Sequence, residues 1–202
     1  VLDQAAASAV SMIDPTRGGT MGAPKFPQPS FFKFLWRAYL RTGSTPFREA
    51  VTVTLSNLCQ GGIYDHLGGG FARYSTDEYW LAPHFEKMLY DNALLVELLS
   101  EVWLETGDPL YAVRVRETIE WAFREMRVTD EGDENGEDAP FAFASAFDAD
   151  SEGEEGKFYV WTEAEIGALL GGEAAEFNKV YDVVPGGNWE GHTILNRSSD
   201  LG

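Results

Sequence analysis

The sequence predicts a mainly α-helical protein whose helices pack as antiparallel hairpins. Apolar residues recur at helical spacing, most clearly from Phe85 through Leu99 to Trp103. The connections alternate between short turns, such as Gly43–Thr45 and Gly107–Asp108, and long glycine-rich loops. Because short turns join antiparallel neighbours, we expect the long loops to gather at one end, where a pocket would form.

Local signals place the helices along the first part of the chain. Ser30 is expected to cap a helix, Thr45-Pro46 to begin the next, and Pro83 to occupy a first helical turn. The predicted helices cover residues 2–13, 31–42, 46–60, 84–106 and 109–127. These helices form hairpins at 2–42 and 46–106, and a third hairpin begins at 109.

Residues 129–197 are predicted to form a loop and β-hairpin insertion within a single domain of residues 1–202. The acidic run at 130–138 is typical of a solvated loop. Alternating residues at 141–152 and 157–162 predict a β-hairpin across Gly153–Gly156. Thr162 and Glu165 form the pattern of a capping box before a short helix, and residues 173–182 form another.

A loose internal repeat connects the first two hairpins. The sequence GGTMGAPKFP at 18–27 resembles the Gly61-Gly62 start and the Ala82–Phe85 end of the central loop. Each repeat unit therefore consists of a helix, a long glycine-rich loop, a second helix and a short turn.

The composition excludes several classes of partner. The chain has 15 lysines and arginines against 33 aspartates and glutamates, a net charge of −18 that disfavours nucleic acid and anionic membrane surfaces. Such a charge is typical of a protein from a halophilic cytoplasm, although an ordinary acidic protein fits as well. No signal peptide or membrane span is apparent, and the start at Val1 suggests a piece excised from a longer protein.

The stretch from Gly61 to Asp91 concentrates the candidate functional residues. Acids, bases and hydrogen-bond donors at one loop–helix junction suit a polyhydroxylated or carboxylated ligand, and exposed aromatic rings suit a sugar. The candidate catalytic residues are Asp77, His84, Glu86 and His66. The candidate ligand-binding residues are Asp65, Phe71, Arg73, Trp80, Lys87, Tyr90, Asp91 and Trp161. We expect His84, Lys87, Asp91, Asp65 and Arg73 to surround one concavity, unless these groups only satisfy the backbone of a buried loop.

Neither a metal nor a cofactor is predicted. Cys59 is the single cysteine, which excludes an intrachain disulfide and a cysteine-based metal cluster. Asp148, Asp150 and Glu152 match the first half of a calcium-binding loop, but Tyr159 stands where its final glutamate belongs. His84 has no zinc-binding partner at a recognisable spacing.

Four motifs together resemble the spermatogenesis-associated protein 20 / YyaL family. They are GAPKFP, YDHLGGGFARYSTDEYWLAPHFEKMLYDNALL, DADSEGEEGKFYVWT and NWEG, which span about residues 18–195. The resemblance implies the first part of an (α/α)6 toroid of the six-hairpin glycosidase type, similar in layout to N-acylglucosamine 2-epimerases. Family members also carry a thioredoxin-like domain, whose Cys-x-x-Cys motif is not in this sequence.

The resemblance implies a carbohydrate-active domain, either epimerase-like or glycosidase-like. The catalytic histidines of the related epimerases belong to later helices, so no residue here matches them. Glu86 or Asp77 would act as the acid or base, with His84 or His66 as the proton shuttle. The alternative is a non-catalytic binding or redox-partner module attached to the thioredoxin-like domain. The expected partners are a sugar-like ligand and that domain.

Overall fold

The computed structural model describes residues 1–129 and 140–201, so the predicted acidic loop lies outside the described residues. Most of the described residues in the first two thirds of the chain are helical. The helices are α1 (Leu2–Val10), α2 (Pro29–Thr42), α3 (Thr45–Gln60), α4 (Leu89–Thr106), α5 (Pro109–Trp121), α6 (Glu163–Leu170) and α7 (Ala174–Val180). A π-helical turn, Ala122–Met126, extends α5. None of the helices in these ranges is long and apolar enough to cross a membrane.

The helices pack as antiparallel hairpins in two rows. Helix α2 packs against α3 and α4, α5 packs against α3 and α4, and α1 packs against α2 and α3. Thus α2 and α4 form one row, and α1, α3 and α5 form the other. Gly43 and Gly107 end α2 and α4 in the left-handed conformation, which glycine adopts at little cost. The core between the rows includes Trp36, Leu55 and Leu99, all essentially inaccessible to solvent.

Two helix starts differ from the predictions. Helix α2 begins at Pro29, after a left-handed Gln28, so Ser30 lies inside the helix and does not cap it. Helix α4 begins at Leu89, whereas a start at residue 84 was expected. Residues before Leu89 are extended because their backbone groups bond to other segments: Glu86 accepts from the Arg73 N–H, and the Leu89 N–H donates to Ser145. Tertiary pairing therefore prevails over local helix propensity here.

Short antiparallel strands hold the central loop in place. Strand β1 (Tyr74–Ser75) pairs with β2 (Pro83–His84), and Lys25 bridges to the free side of Ser75. Strand β3 (Lys87–Met88) pairs with β6 (Ala146–Phe147). The segment before α4 is thereby fixed to the insertion.

The insertion contains a smaller hairpin than predicted. Strand β7 (Asp150–Ser151) pairs with β8 (Glu154–Glu155) across a tight turn in which Glu152 and Gly153 both have positive φ. The predicted pairing of 141–152 with 157–162 is wrong because these segments pair elsewhere. Strand β4 (Arg127–Thr129) pairs with β5 (Phe141–Phe143), and β9 (Val160–Trp161) pairs with β10 (Thr193–Ile194). The predicted capping box of Thr162 and Glu165 is present at the start of α6.

The internal repeat is structural, but its register differs from the predicted one. In each unit an aspartate side chain accepts from the two N–H groups that begin a tight loop, and its backbone closes the loop onto a Gly-Gly pair. The first loop runs from Asp14 to Gly18-Gly19. The second runs from Asp65 to Gly69-Gly70, so Gly61-Gly62 is not the equivalent of Gly18-Gly19.

Candidate functional site

The extended segment before α4 separates the predicted site residues onto two faces. Side chains of an extended strand alternate between sides, and burial alternates accordingly from Pro83 to Met88. Phe85 and Lys87 are buried, at 4% and 2% exposure. His84 and Glu86 lie on the partly exposed side. The prediction that His84, Lys87, Asp91, Asp65 and Arg73 surround one concavity is therefore wrong.

The side that carries His84 and Glu86, with Arg73, Tyr74 and Tyr90, is called the open face. The Arg73 Nη1 atom lies 2.9 Å from Glu86 Oε2, and Arg73 Nη2 donates to the Tyr90 hydroxyl at 3.4 Å. Tyr90 is 49% exposed, so this arginine group borders solvent. A guanidinium donor (Arg73), a carboxylate acceptor (Glu86) and a hydroxyl group (Tyr90) thus lie together near the start of α4.

His84 lies between an aromatic ring and two carboxylates. Its ring stacks on Tyr74 at 5.1 Å between centroids, and Tyr74 in turn stacks on Phe26 at 4.7 Å. The Nδ1 atom is 2.7 Å from Glu155 Oε1, and Nε2 is 3.9 Å from Glu86 Oε2. An imidazole held on a ring face with carboxylates at both nitrogens can accept or donate a proton at Nε2.

Asp91 adjoins the open face in the first turn of α4. Its Oδ2 atom is buried and has no hydrogen-bond partner among the described residues. Burial raises the pKa of Asp91 above its usual range, although Arg73 opposes this effect. A carboxyl group with a raised pKa retains its proton more easily than an exposed one.

The opposite side, with Phe85, Lys87 and Asp65, is called the closed face. The Lys87 Nζ atom donates to Asp65 Oδ2 at 2.7 Å and to the Gly69 carbonyl at 2.8 Å. It also lies 5.0 Å from the Trp121 ring and 4.8 Å from the Tyr159 ring. Burial lowers the pKa of Lys87, and Asp65 counteracts that effect.

The repeat argues that Lys87 and Asp65 stabilise the fold. Lys25 is fully buried and donates to Asp14 Oδ2 at 3.0 Å and to the Gly18 carbonyl at 2.8 Å. The same arrangement thus occurs twice, once beside a cavity and once in the packed interior.

A cavity of about 400 Å³ adjoins the closed face, and Trp161 and His66 are among its lining residues.

The environment of His66 does not support a proton shuttle. Its Nε2 atom bonds to the Gly61 carbonyl at 2.9 Å, and Nδ1 lies 3.3 Å from Arg114 Nη2. Burial, reinforced by the Arg114 charge, lowers the pKa of His66 to about 4. The ring is therefore neutral near pH 7, and both nitrogens have partners.

Three further candidate residues stabilise the local structure. The Asp77 carboxylate accepts from the backbone N–H groups of its own loop, including Ala82 at 2.6 Å, so it shapes the loop. Trp80 is fully buried, and its Nε1 donates to the Arg17 carbonyl. Phe71 is also fully buried. Neither ring has a face accessible to a sugar.

The residues that sequence reasoning missed are Tyr74, Phe26 and Glu155. Tyr74 directly follows the candidate Arg73 in the chain, whereas Glu155 reaches His84 from a distant hairpin and leaves no local signal. No group of three or more histidine, cysteine or acidic side chains in residues 1–129 and 140–201 is placed to hold a metal ion.

Comparison with known proteins agrees with the motifs. Human spermatogenesis-associated protein 20 is 39% identical over 168 residues, which is 78% of this chain and 20% of the human protein. The chain is a relative of spermatogenesis-associated protein 20. An uncharacterized protein from Caenorhabditis elegans is 34% identical over 185 residues, 86% of this chain and 24% of that protein. No family model matches, and the chain spans about a fifth of the length of spermatogenesis-associated protein 20.

Solved structures confirm the helical-hairpin fold of this relative of spermatogenesis-associated protein 20. Cellobiose 2-epimerase from Spirochaeta thermophila superposes with a TM-score of 0.55 and 20% identity over 73% of this chain and 40% of the enzyme. A sugar epimerase from a ruminal bacterium superposes with a TM-score of 0.57 and 14% identity over 92% of this chain and 56% of that protein. At these identities the likeness establishes the mainly α toroid fold alone.

Proposed function

We propose that the chain forms part of a carbohydrate-active, epimerase-like or glycosidase-like domain whose sugar site lies on the open face. The observation that carries the proposal is the grouping of His84, Glu86 and Arg73 just before helix α4. Support comes from the fold, which two sugar epimerases share. The redox-partner alternative receives no comparable support. Association with a thioredoxin-like domain stays a prediction, because the matched segment is a fifth of the human relative.

The chemistry of the open face suits a sugar. The Phe26–Tyr74–His84 stack offers an apolar surface to the C–H groups of a pyranose ring. Arg73 and Tyr90 supply hydrogen-bond donors for hydroxyl groups. Removing a proton beside a carbonyl, or protonating a glycosidic oxygen, needs an acid–base pair, and His84 with Glu86 supplies one.

The test is a binding and turnover screen with aldoses and N-acyl sugars. Saturation-transfer NMR would detect binding, and exchange of a sugar C–H proton for solvent deuterium would detect epimerisation. We expect Glu86→Gln and Arg73→Met each to weaken binding about tenfold or more, the effect of losing one charged hydrogen bond. His192→Gln is the control, because among the described residues the His192 ring bonds to the Glu190 carbonyl of its own turn, away from the open face. Sugar binding that these open-face variants leave unchanged would refute the proposal.

A further inference from the structure

We propose that Glu155 is a positioning residue that holds His84 in the tautomer with the proton on Nδ1. The inference rests on the proposed function, because it assigns a role within the same site. Glu155 Oε1 lies 2.7 Å from His84 Nδ1. An ionised carboxylate only accepts hydrogen bonds, so Nδ1 must carry the proton. The lone pair of neutral His84 is therefore on Nε2, which lies 3.9 Å from Glu86.

The hairpin β7–β8 brings Glu155 to His84 by packing on the closed face. The turn at Glu152 and Gly153, with φ of 55° and 79°, sends β8 back along the segment before α4. Gly156 follows directly, and a Cβ atom there would overlap the Phe85 ring. The Gly156 N–H also donates to the Ala149 carbonyl at 3.0 Å. Close packing of Gly156 on Phe85 thus places the neighbouring Glu155 beside the neighbouring His84.

The tautomer determines what His84 can do. With Nδ1–H bonded to Glu155, Nε2 takes a proton from a substrate C–H or O–H group, which leaves the bonding electrons on the substrate. The resulting imidazolium lies between Glu155 and Glu86, and both carboxylates stabilise its charge. Nε2 then returns the proton to the substrate, so the cycle balances without another reactant. The opposite tautomer would present an N–H group at Nε2 and could not accept a proton at that atom.

Nitrogen NMR of the histidine rings tests the tautomer directly. The chain has 3 histidines, so long-range proton–nitrogen spectra of labelled protein at about pH 8, well above the pKa of free histidine, are readily assigned. We expect His84 to be protonated on Nδ1. His66 is an internal reference with the opposite tautomer, because its Nε2 bonds to the Gly61 carbonyl. Observation of His84 protonated on Nε2 would overturn the proposal.

Variants of two adjacent glutamates complete the test. Glu155→Ala should move His84 towards the Nε2–H form, and Glu155→Gln should partly retain Nδ1–H, because its amide oxygen still accepts. Glu154→Ala is the control, since Glu154 lies on the same strand and faces away from the contact with His84. An unchanged His84 spectrum in Glu155→Ala would contradict the proposal.

The tautomer is measured without a sugar, so the two proposals can fail separately. A shifted tautomer in Glu155→Ala with no sugar bound by any variant supports the positioning role and contradicts the proposed function. Where a sugar turns over, Glu155→Ala should lower kcat about tenfold or more and move the acidic limb of its pH profile, with little change in KM. Equal losses in Glu154→Ala would contradict a specific role for Glu155.

Discussion

Lys25 and Lys87 make the same contacts in two successive helical hairpins. Each ammonium group donates to the aspartate that begins its loop and to the carbonyl of the first glycine that ends it. Each also lies against a tryptophan ring, Trp80 or Trp121. Such a buried cation ties together the two ends of a tight loop, so both lysines stabilise the fold.

Replacing Lys87 by methionine should destabilise the protein by about 3–5 kcal/mol, because it leaves the Asp65 charge and the Gly69 carbonyl without their partner. Lys33→Met is the matched control. Lys33 pairs with Glu97 and Glu101 at the surface, where solvent screens the charges, so Lys33→Met should change the free energy of unfolding far less. Urea unfolding of both variants measures the difference. Equal destabilisation by the two variants would show that the buried Lys87–Asp65 pair stabilises the fold no more than a surface pair does.

The stability of the protein should depend on His66 between about pH 4 and pH 6.5. The folded-state pKa of His66 is lowered from 6.5 to about 4, so the unfolded chain binds a proton first as pH falls. The contribution of neutral His66 is therefore complete above pH 6.5 and is lost progressively down to pH 4. At about 1.4 kcal/mol for each pKa unit, the loss amounts to roughly 3–4 kcal/mol.

The variant His66→Gln isolates this contribution. Glutamine can donate to the Gly61 carbonyl and accept from Arg114 without titrating. The free energy of unfolding, measured by urea at several pH values, should fall less steeply below pH 6.5 in the variant. Parallel curves for the two proteins would contradict the lowered pKa.

Gly70→Ala should be much more destabilising than Gly107→Ala. Both glycines have positive φ, 83° and 69°. Alanine is disfavoured in this left-handed conformation, so each substitution should destabilise the protein by about 1 kcal/mol. A Cβ on Gly70 would also meet the Trp121 ring at 2.7 Å, whereas Gly107 faces open space. We expect an additional loss of about 2 kcal/mol or more for Gly70→Ala. Thermal melts that agree for the two variants would refute the close approach.

Added salt should raise the melting temperature. With a net charge of −18, mutual repulsion disfavours the compact state and weakens as the Debye length falls from about 10 Å at 0.1 M to about 3 Å at 1 M. Melting in potassium chloride between these concentrations checks the expectation, with sucrose as a control for effects unrelated to charge. A flat profile would count against adaptation to a salty cytoplasm.

Local patterns were enough to predict the helical hairpins. The apolar period of α2 to α5, the prolines that begin α3 and α5, and Gly43 and Gly107 after α2 and α4 all act within a few residues. Such signals are independent of the rest of the chain, because helix hydrogen bonds and caps join near neighbours. The toroid itself was predicted from the resemblance to the family, because helical hairpins alone do not specify how they are arranged.

The functional arrangement depended on contacts between distant segments. Residues 84–88 have a sequence compatible with a first helical turn, and only their pairing with β1 and β6 made them extended. That change moved Lys87 to the closed face and left His84 and Glu86 on the open face. Glu155 approaches His84 through a hairpin 71 residues away in the chain. Sequence periodicity indicates where the long helices lie, whereas helix starts such as that of α4 and the side to which a strand residue points depend on long-range partners.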